Sequence, residues 1–264
     1  MTTEKNGLSD GGVRSNPIRT LLVKELRQVA RHRSAMLSLT LLPILVMVIV
    51  PVGQFLSIQA VGMTGRSSST IPANLGMLQG LAGINDPSKI FTLLILPLMM
   101  VVGGLATPSV LAIHTIVVER ERRTLELLIA LPVSIRDIIT AKLLAVLVLS
   151  SCVVLPLFAI DVAVGMRSGL LTVFDSSLLL LVLLAAVACS GCFALVLALV
   201  ARDFRTANNI NGAMVGPIVL VSVVILGLVP GPMRLIALAL LLTTVGVTCV
   251  VVAMKWLTFE RYIG

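Results

Sequence analysis

Few side chains in this 264-residue chain could run a reaction. There are two histidines, His32 and His114, and four cysteines, Cys152, Cys189, Cys192 and Cys249. Cys189 and Cys192 stand in ACSGC, a C-x-x-C spacing that elsewhere holds a metal or cycles through a disulfide. A metal site of that kind needs a second ligand pair, and none adjoins it. All four cysteines fall in or beside apolar runs, so they are expected to behave as small buried apolar residues. A membrane-embedded protease or lipid transferase would need paired carboxylates, a histidine cluster or an activated serine within reach of the bilayer. The histidines lie on different segments, and the centres of the long apolar runs carry no Asp, Glu, Lys or Arg. His114 and Asp161 lie near the ends of such runs and are expected to be interfacial or to make helix-end hydrogen bonds. The same lack of central charge leaves no ionisable ligand for a cation within the bilayer and suits an apolar or amphipathic molecule better. The chain also lacks G-x-x-x-x-G-K-[ST], and has no Gly-Lys dipeptide. It is therefore expected to bind no cofactor of its own, and any ATP and Mg²⁺ would be held by a partner.

The densest charge lies in VVERERRTLELLIALPVS, residues 117–134. Five consecutive charged residues, Glu119 to Arg123, come directly after an apolar run. A charged stop at a membrane boundary accounts for them but not for the leucine-rich segment beyond. TLELLIALPVS forms a compact helical turn with Leu125, Leu128 and Ile129 on one side, and it ends at Pro132. Ser134 is a candidate cap for the next helix. A short helix of this kind can seat its leucines in a partner's groove while its Glu and Arg residues set register at the rim.

Composition fixes what must position these residues. The chain is 58% hydrophobic and 12% charged, against about 25% charged in ordinary soluble domains. Runs of about 20 residues without charge span roughly 30 Å of hydrocarbon. The expected fold is an all-α polytopic membrane protein, because barrels show short alternating strands instead. Six spans are expected near 36–58, 90–117, 138–160, 178–200, 209–229 and 234–254. Pro43, Pro97, Pro108, Pro156 and Pro217 within them are tolerable where neighbours satisfy the freed carbonyls.

Residues 1–16 are expected to be a disordered cytoplasmic tail, with no signal peptide, and 17–264 a single six-helix transmembrane domain. Asn16 and Pro17 open a basic amphipathic helix over about 17–33, suited to the headgroup layer of membrane lipid. Its apolar face is Ile18, Leu21, Leu22, Leu26, Val29 and Ala30. The net charge of +8 reflects cytoplasmic loops rather than nucleic-acid binding. With a cytoplasmic N-terminus only Arg66, Lys89, Arg167 and Arg234 fall outside, and the other 16 of the 20 Lys and Arg lie inside. Both termini are then cytoplasmic in a cell membrane.

Residues 119–133, as E-R-E-R-x-T-L-E-x-L-x-x-x-P-V, resemble the motif that ABC type-2 exporter permeases carry between the second and third of six spans. ARDFRTANN (201–209) and MKWLTFERYIG (254–264) are also similar to that family, so the resemblance covers roughly residues 17–260. Arg123 departs from it, standing where such motifs often have glycine. The resemblance implies a transmembrane subunit that pairs with a second permease, identical or homologous, and binds two ABC ATPase subunits. It implies that residues 119–131 form a coupling helix, with Glu119, Arg120, Glu121, Thr124, Glu126 and Leu128 transmitting force. A non-transporting membrane partner, an immunity or signalling subunit, would share this scaffold.

The fifth span opens NNINGAMVGP. Gly212 and Gly216 form G-x-x-x-G, which lets another helix approach closely. That helix belongs either to the same chain or to the second permease, in which case Asn208, Asn209 and Asn211 would line the cytoplasmic mouth of a pathway.

Overall fold

The computed structural model describes residues 40–41, 43–56, 87–112, 135–200 and 204–263. Among them the chain is helical, with no strand. We label the helical segments α1 (43–56), α2 (87–112), α3 (Ile135–Arg167), α4 (Val173–Val200), α5 (Phe204–Leu228) and α6 (Met233–Ile263). Among the described residues, five stretches are long and apolar enough to cross a membrane: Phe91–Ala112, Leu143–Arg167, Val173–Phe193, Arg205–Leu228 and Met233–Val252. The apolar part of α1, Leu45–Leu56, is shorter. The expected amphipathic helix at 17–33 and coupling helix at 119–131 lie outside the described residues.

Several helices outrun the apolar windows that announce them. α3 has 33 residues, about 50 Å at 1.5 Å per residue, and continues past the expected end near 160. Its stop is encoded just beyond Arg167. Gly169 takes φ +69°, a left-handed conformation that costs glycine little. The Gly169 N–H then reaches Met166 C=O at 3.1 Å and the Leu170 N–H reaches Gly165 C=O at 3.1 Å. This pair of bonds is the Schellman ending. α4 starts three residues later with a reciprocal cap. The Asp175 N–H donates to Thr172 Oγ1 at 3.2 Å, and Asp175 Oδ2 accepts from the Thr172 hydroxyl at 2.7 Å. Both orphan ends are satisfied locally, so the α3–α4 turn needs no outside partner.

Two prolines shape α1 and α2 by one device. Residues Leu45–Ile49 and Phe91–Ile95 are single π-turns, closed by the Val50 N–H to Leu45 C=O and the Leu96 N–H to Phe91 C=O. Pro51 and Pro97 follow immediately. A proline ring clashes with the carbonyl four residues back and offers it no N–H. Widening the preceding turn carries the chain past that clash without breaking the helix.

α4 is the hub. Its window Val173–Phe193 is 67% buried, whereas Arg205–Leu228 of α5 is 17% buried. Leu179, Val182, Leu183 and Ala186 of α4 are all but fully enclosed, with α2, α3 and α6 packed around them. In lipid, the tails are as apolar as leucine, so association rests on close packing and interhelical hydrogen bonds rather than water exclusion. The α4–α6 contact shows the closeness achieved. A Cβ on Gly246 would lie 3.2 Å from Cys189 Cα, a backbone atom.

Candidate functional site

α5 presents one open row of residues at four-residue steps: Asn208, Gly212, Gly216, Leu220, Val224 and Leu228. Leu220 is 64% exposed and Leu228 69%. Such a row forms a ridge along a helix surface, the element that packs between two helices. The other side of α5 is anchored by Ala207, Ile218, Ser222 and Leu226, all buried. A Cβ built on Gly212 or Gly216 meets nothing within 4 Å. Among the described residues, then, no helix of this chain uses the G-x-x-x-G as a close-packing surface. Asn208 and Asn209 are exposed at the same end, and Asn211 is half-buried. Pro217, also exposed, has no N–H to give the Ala213 carbonyl on that open side.

The residues expected to transmit force are not among those described. Glu119, Arg120, Glu121, Thr124, Glu126 and Leu128 lie between α2 and α3 in sequence, outside the described residues. His114 lies there too.

The bundle interior holds two polar features that sequence reasoning missed or misjudged. Between α2 and α4, the Ser109 and Ser190 hydroxyls lie 2.8 Å apart, and both reach Leu105 C=O, at 2.9 and 2.5 Å. Ser190 sits inside ACSGC, so the usable signal was the serine between the cysteines rather than the cysteines. Ser190→Ala removes both interhelical contacts of this hydroxyl, to Ser109 and to Leu105 C=O. Such bonds average about 0.6 kcal/mol in membrane bundles, with maxima near 1.7 kcal/mol. Thermal unfolding in detergent is expected to show a small loss of that order, without change of fold.

Asp161 corrects an expectation. It is 0% exposed, and it makes no helix-end hydrogen bond. Both carboxylate oxygens lack a hydrogen-bond partner among the described residues. The helix it was expected to end runs on to Arg167. The cysteines also divide. Cys189 is buried against α6, as expected of a small packing residue, but Cys152 is exposed on α3. Cys152 lines an open apolar groove with Leu147, Val148, Ser151, Leu155 and Pro156.

Among the described residues, five membrane-length helices, four of them besides the buried α4, define a multi-pass helical membrane protein. A family model described as "ABC-2 family transporter protein" matches residues 19–242, a range that takes in the charged segment between α2 and α3. The chain belongs to that family, and so is a transmembrane permease of an ABC transporter. Permeases of this family associate with ABC ATPase subunits and normally have no ATPase site of their own. No curated protein and no solved structure matches the chain.

Proposed function

We propose that this chain is the permease subunit of an ATP-driven exporter for an apolar or amphipathic cargo, working as a permease pair with two separate ATPase subunits. The observation that carries the reading is the E-R-E-R-x-T-L-E motif, in the connection between α2 and α3 of a chain that belongs to the ABC-2 family. Residues 36–58 are the first of six spans, both termini are cytoplasmic, and the host is a cell membrane. The segment 119–131 docks on the ATPase, with Leu125, Leu128 and Ile129 as anchors and the charged residues at the rim. The lack of a Gly-Lys dipeptide supports the reading that the partner holds ATP and Mg²⁺.

The open row on α5 supports the pairing. Exposed leucines and valines are at home against lipid, but the exposed pair Gly212 and Gly216 gives a lipid chain little to pack against. A second helix crossing at the glycines would fill that shallow place and approach the Ala213 carbonyl that Pro217 leaves free. Cysteines introduced at Gly212 and Gly216 are expected to crosslink between subunits, and the absence of any such product would remove α5 from the seam.

The whole reading is tested by isolating the chain with its co-purifying ATPase and reconstituting both in liposomes. The expected result is ATP-dependent movement of a hydrophobic drug or lipid probe. An ATPase that binds without any transport would instead mark a non-transporting partner, and stimulation by cations alone would mark a cation exporter.

A further inference from the structure

Asp161 occupies a position that packing would give to an aliphatic residue. Val154, Phe158, Asp161 and Gly165 recur at four-, three- and four-residue steps on α3, and all four are buried. The next turn along is closed by hydrocarbon. A Cβ on Gly165 would run into Leu171 and lie 3.3 Å from Phe55 Cζ. Phe55 in turn meets Phe91 edge-on, with ring centroids 4.8 Å apart. Asp161 lies six residues before the end of α3, about 9 Å along the helix axis, in the part of the bundle where α3 turns into α4.

The described charged groups at this end are accounted for elsewhere. Asp175 on α4 is held by Thr172. The Arg234 guanidinium on α6 donates from Nε to Gly231 C=O at 2.8 Å. Lys89 on α2 and Arg167 on α3 are exposed. Described α1 has no ionisable residue. Among the described residues none of these pairs with Asp161 or donates to it. Among the described residues, no second carboxylate, histidine or cysteine pair joins it there to make a metal site. An isolated carboxylate in such surroundings is very costly, because neither water nor a counter-charge repays its desolvation. A bare alkali or alkaline-earth ion would need several oxygen ligands. A proton needs only the carboxylate oxygen itself.

We propose that Asp161 is a proton-binding site, sealed inside the α3–α4 end of the bundle, whose proton exchanges with water only when that end opens. Loss of the proton leaves a charge that favours whichever arrangement admits water, and its return favours the packed one, so protonation and opening are linked. The site is independent of the ATPase reading, and its test needs no ATPase.

The test uses the full chain in lipid nanodiscs, treated with the lipid-soluble reagent dicyclohexylcarbodiimide. A carboxylic acid adds across one C=N bond of the reagent. Its oxygen bonds to the central carbon and its proton passes to nitrogen, and the O-acylisourea then rearranges to an N-acylurea without losing atoms. Peptide mass spectrometry is expected to find the adduct on Asp161, decreasing as pH is raised and absent from Asp161→Asn. A water-soluble carbodiimide is expected to leave Asp161 unlabelled. Asp161→Asn, a neutral near-isostere, is expected to melt with the parent chain. Four results would overturn the proposal. They are no adduct at any pH, equal labelling by the water-soluble reagent, protection by sodium but not by choline, and a large fall in melting temperature for Asp161→Asn. The third would assign the site to a metal cation, and the last to an ionised carboxylate held by a partner charge.

Discussion

Leu128→Asp is expected to abolish nucleotide-driven transport while leaving the protein in the membrane. If residues 119–131 form the proposed coupling helix, Leu128 shares its apolar side with Leu125 and Ile129. Residues that anchor an interface by filling a partner's pocket cost about 2–4 kcal/mol when truncated, a loss of roughly 30- to 1,000-fold in affinity. Aspartate does more harm than truncation, since it carries a charge into the groove. In sequence the site lies between α2 and α3 and outside the expected spans, so helix packing and membrane insertion are expected to be unaffected. Two measurements check this: capture of the co-purifying ATPase by the variant, and transport after reconstitution. Normal ATPase capture by Leu128→Asp would show that the leucines do not dock, and the coupling role would pass to the rim charges alone.

How much of this was legible in the sequence depended on which force set each feature. The long apolar helices were legible because hydrocarbon thickness dictates a run of fixed length. Their ends were less so, because hydropathy stops at the first charge while the helix stops at a cap. At α3 the usable signals were Gly169, and Thr172 followed three residues later by Asp175, both more informative than the charge at Asp161. That error propagated. With α3 ending near 160, Asp161 looked like an interfacial residue, whereas seven further helical residues place it in a packed face. Pro97 signalled an irregularity but not its form, since a kink and a π-turn both answer a missing N–H. The glycines of α5 were found, but their surroundings were not. G-x-x-x-G states that a helix can approach, not which one, and the choice rests on tertiary arrangement.

That distinction yields the second large effect, because two glycines of similar helical context have opposite surroundings. Gly246→Leu is expected to damage the protomer, and Gly216→Leu to spare it but break the pair. At Gly246 the new side chain would start 3.2 Å from Cys189 Cα and 3.7 Å from its backbone N, atoms that move only if α4 or α6 moves. Overpacking of this kind typically costs about 1–3 kcal/mol, here at the contact between the hub helix and α6. The melting temperature of the isolated protomer should fall, and with it every downstream activity. At Gly216 there is nothing within 4 Å, so leucine extends into open space on α5. Leucine even improves helix propensity over glycine by somewhat under 1 kcal/mol, so the protomer should melt no lower than the parent. If a second permease crosses at this glycine, however, the added side chain holds the two backbones apart, and intersubunit crosslinking on α5 should disappear. Sizing in detergent with crosslinking separates the cases. A Gly216→Leu protein that stays paired would mean that α5 faces lipid alone, and the seam would then have to be sought on the exposed faces of α3 or α6.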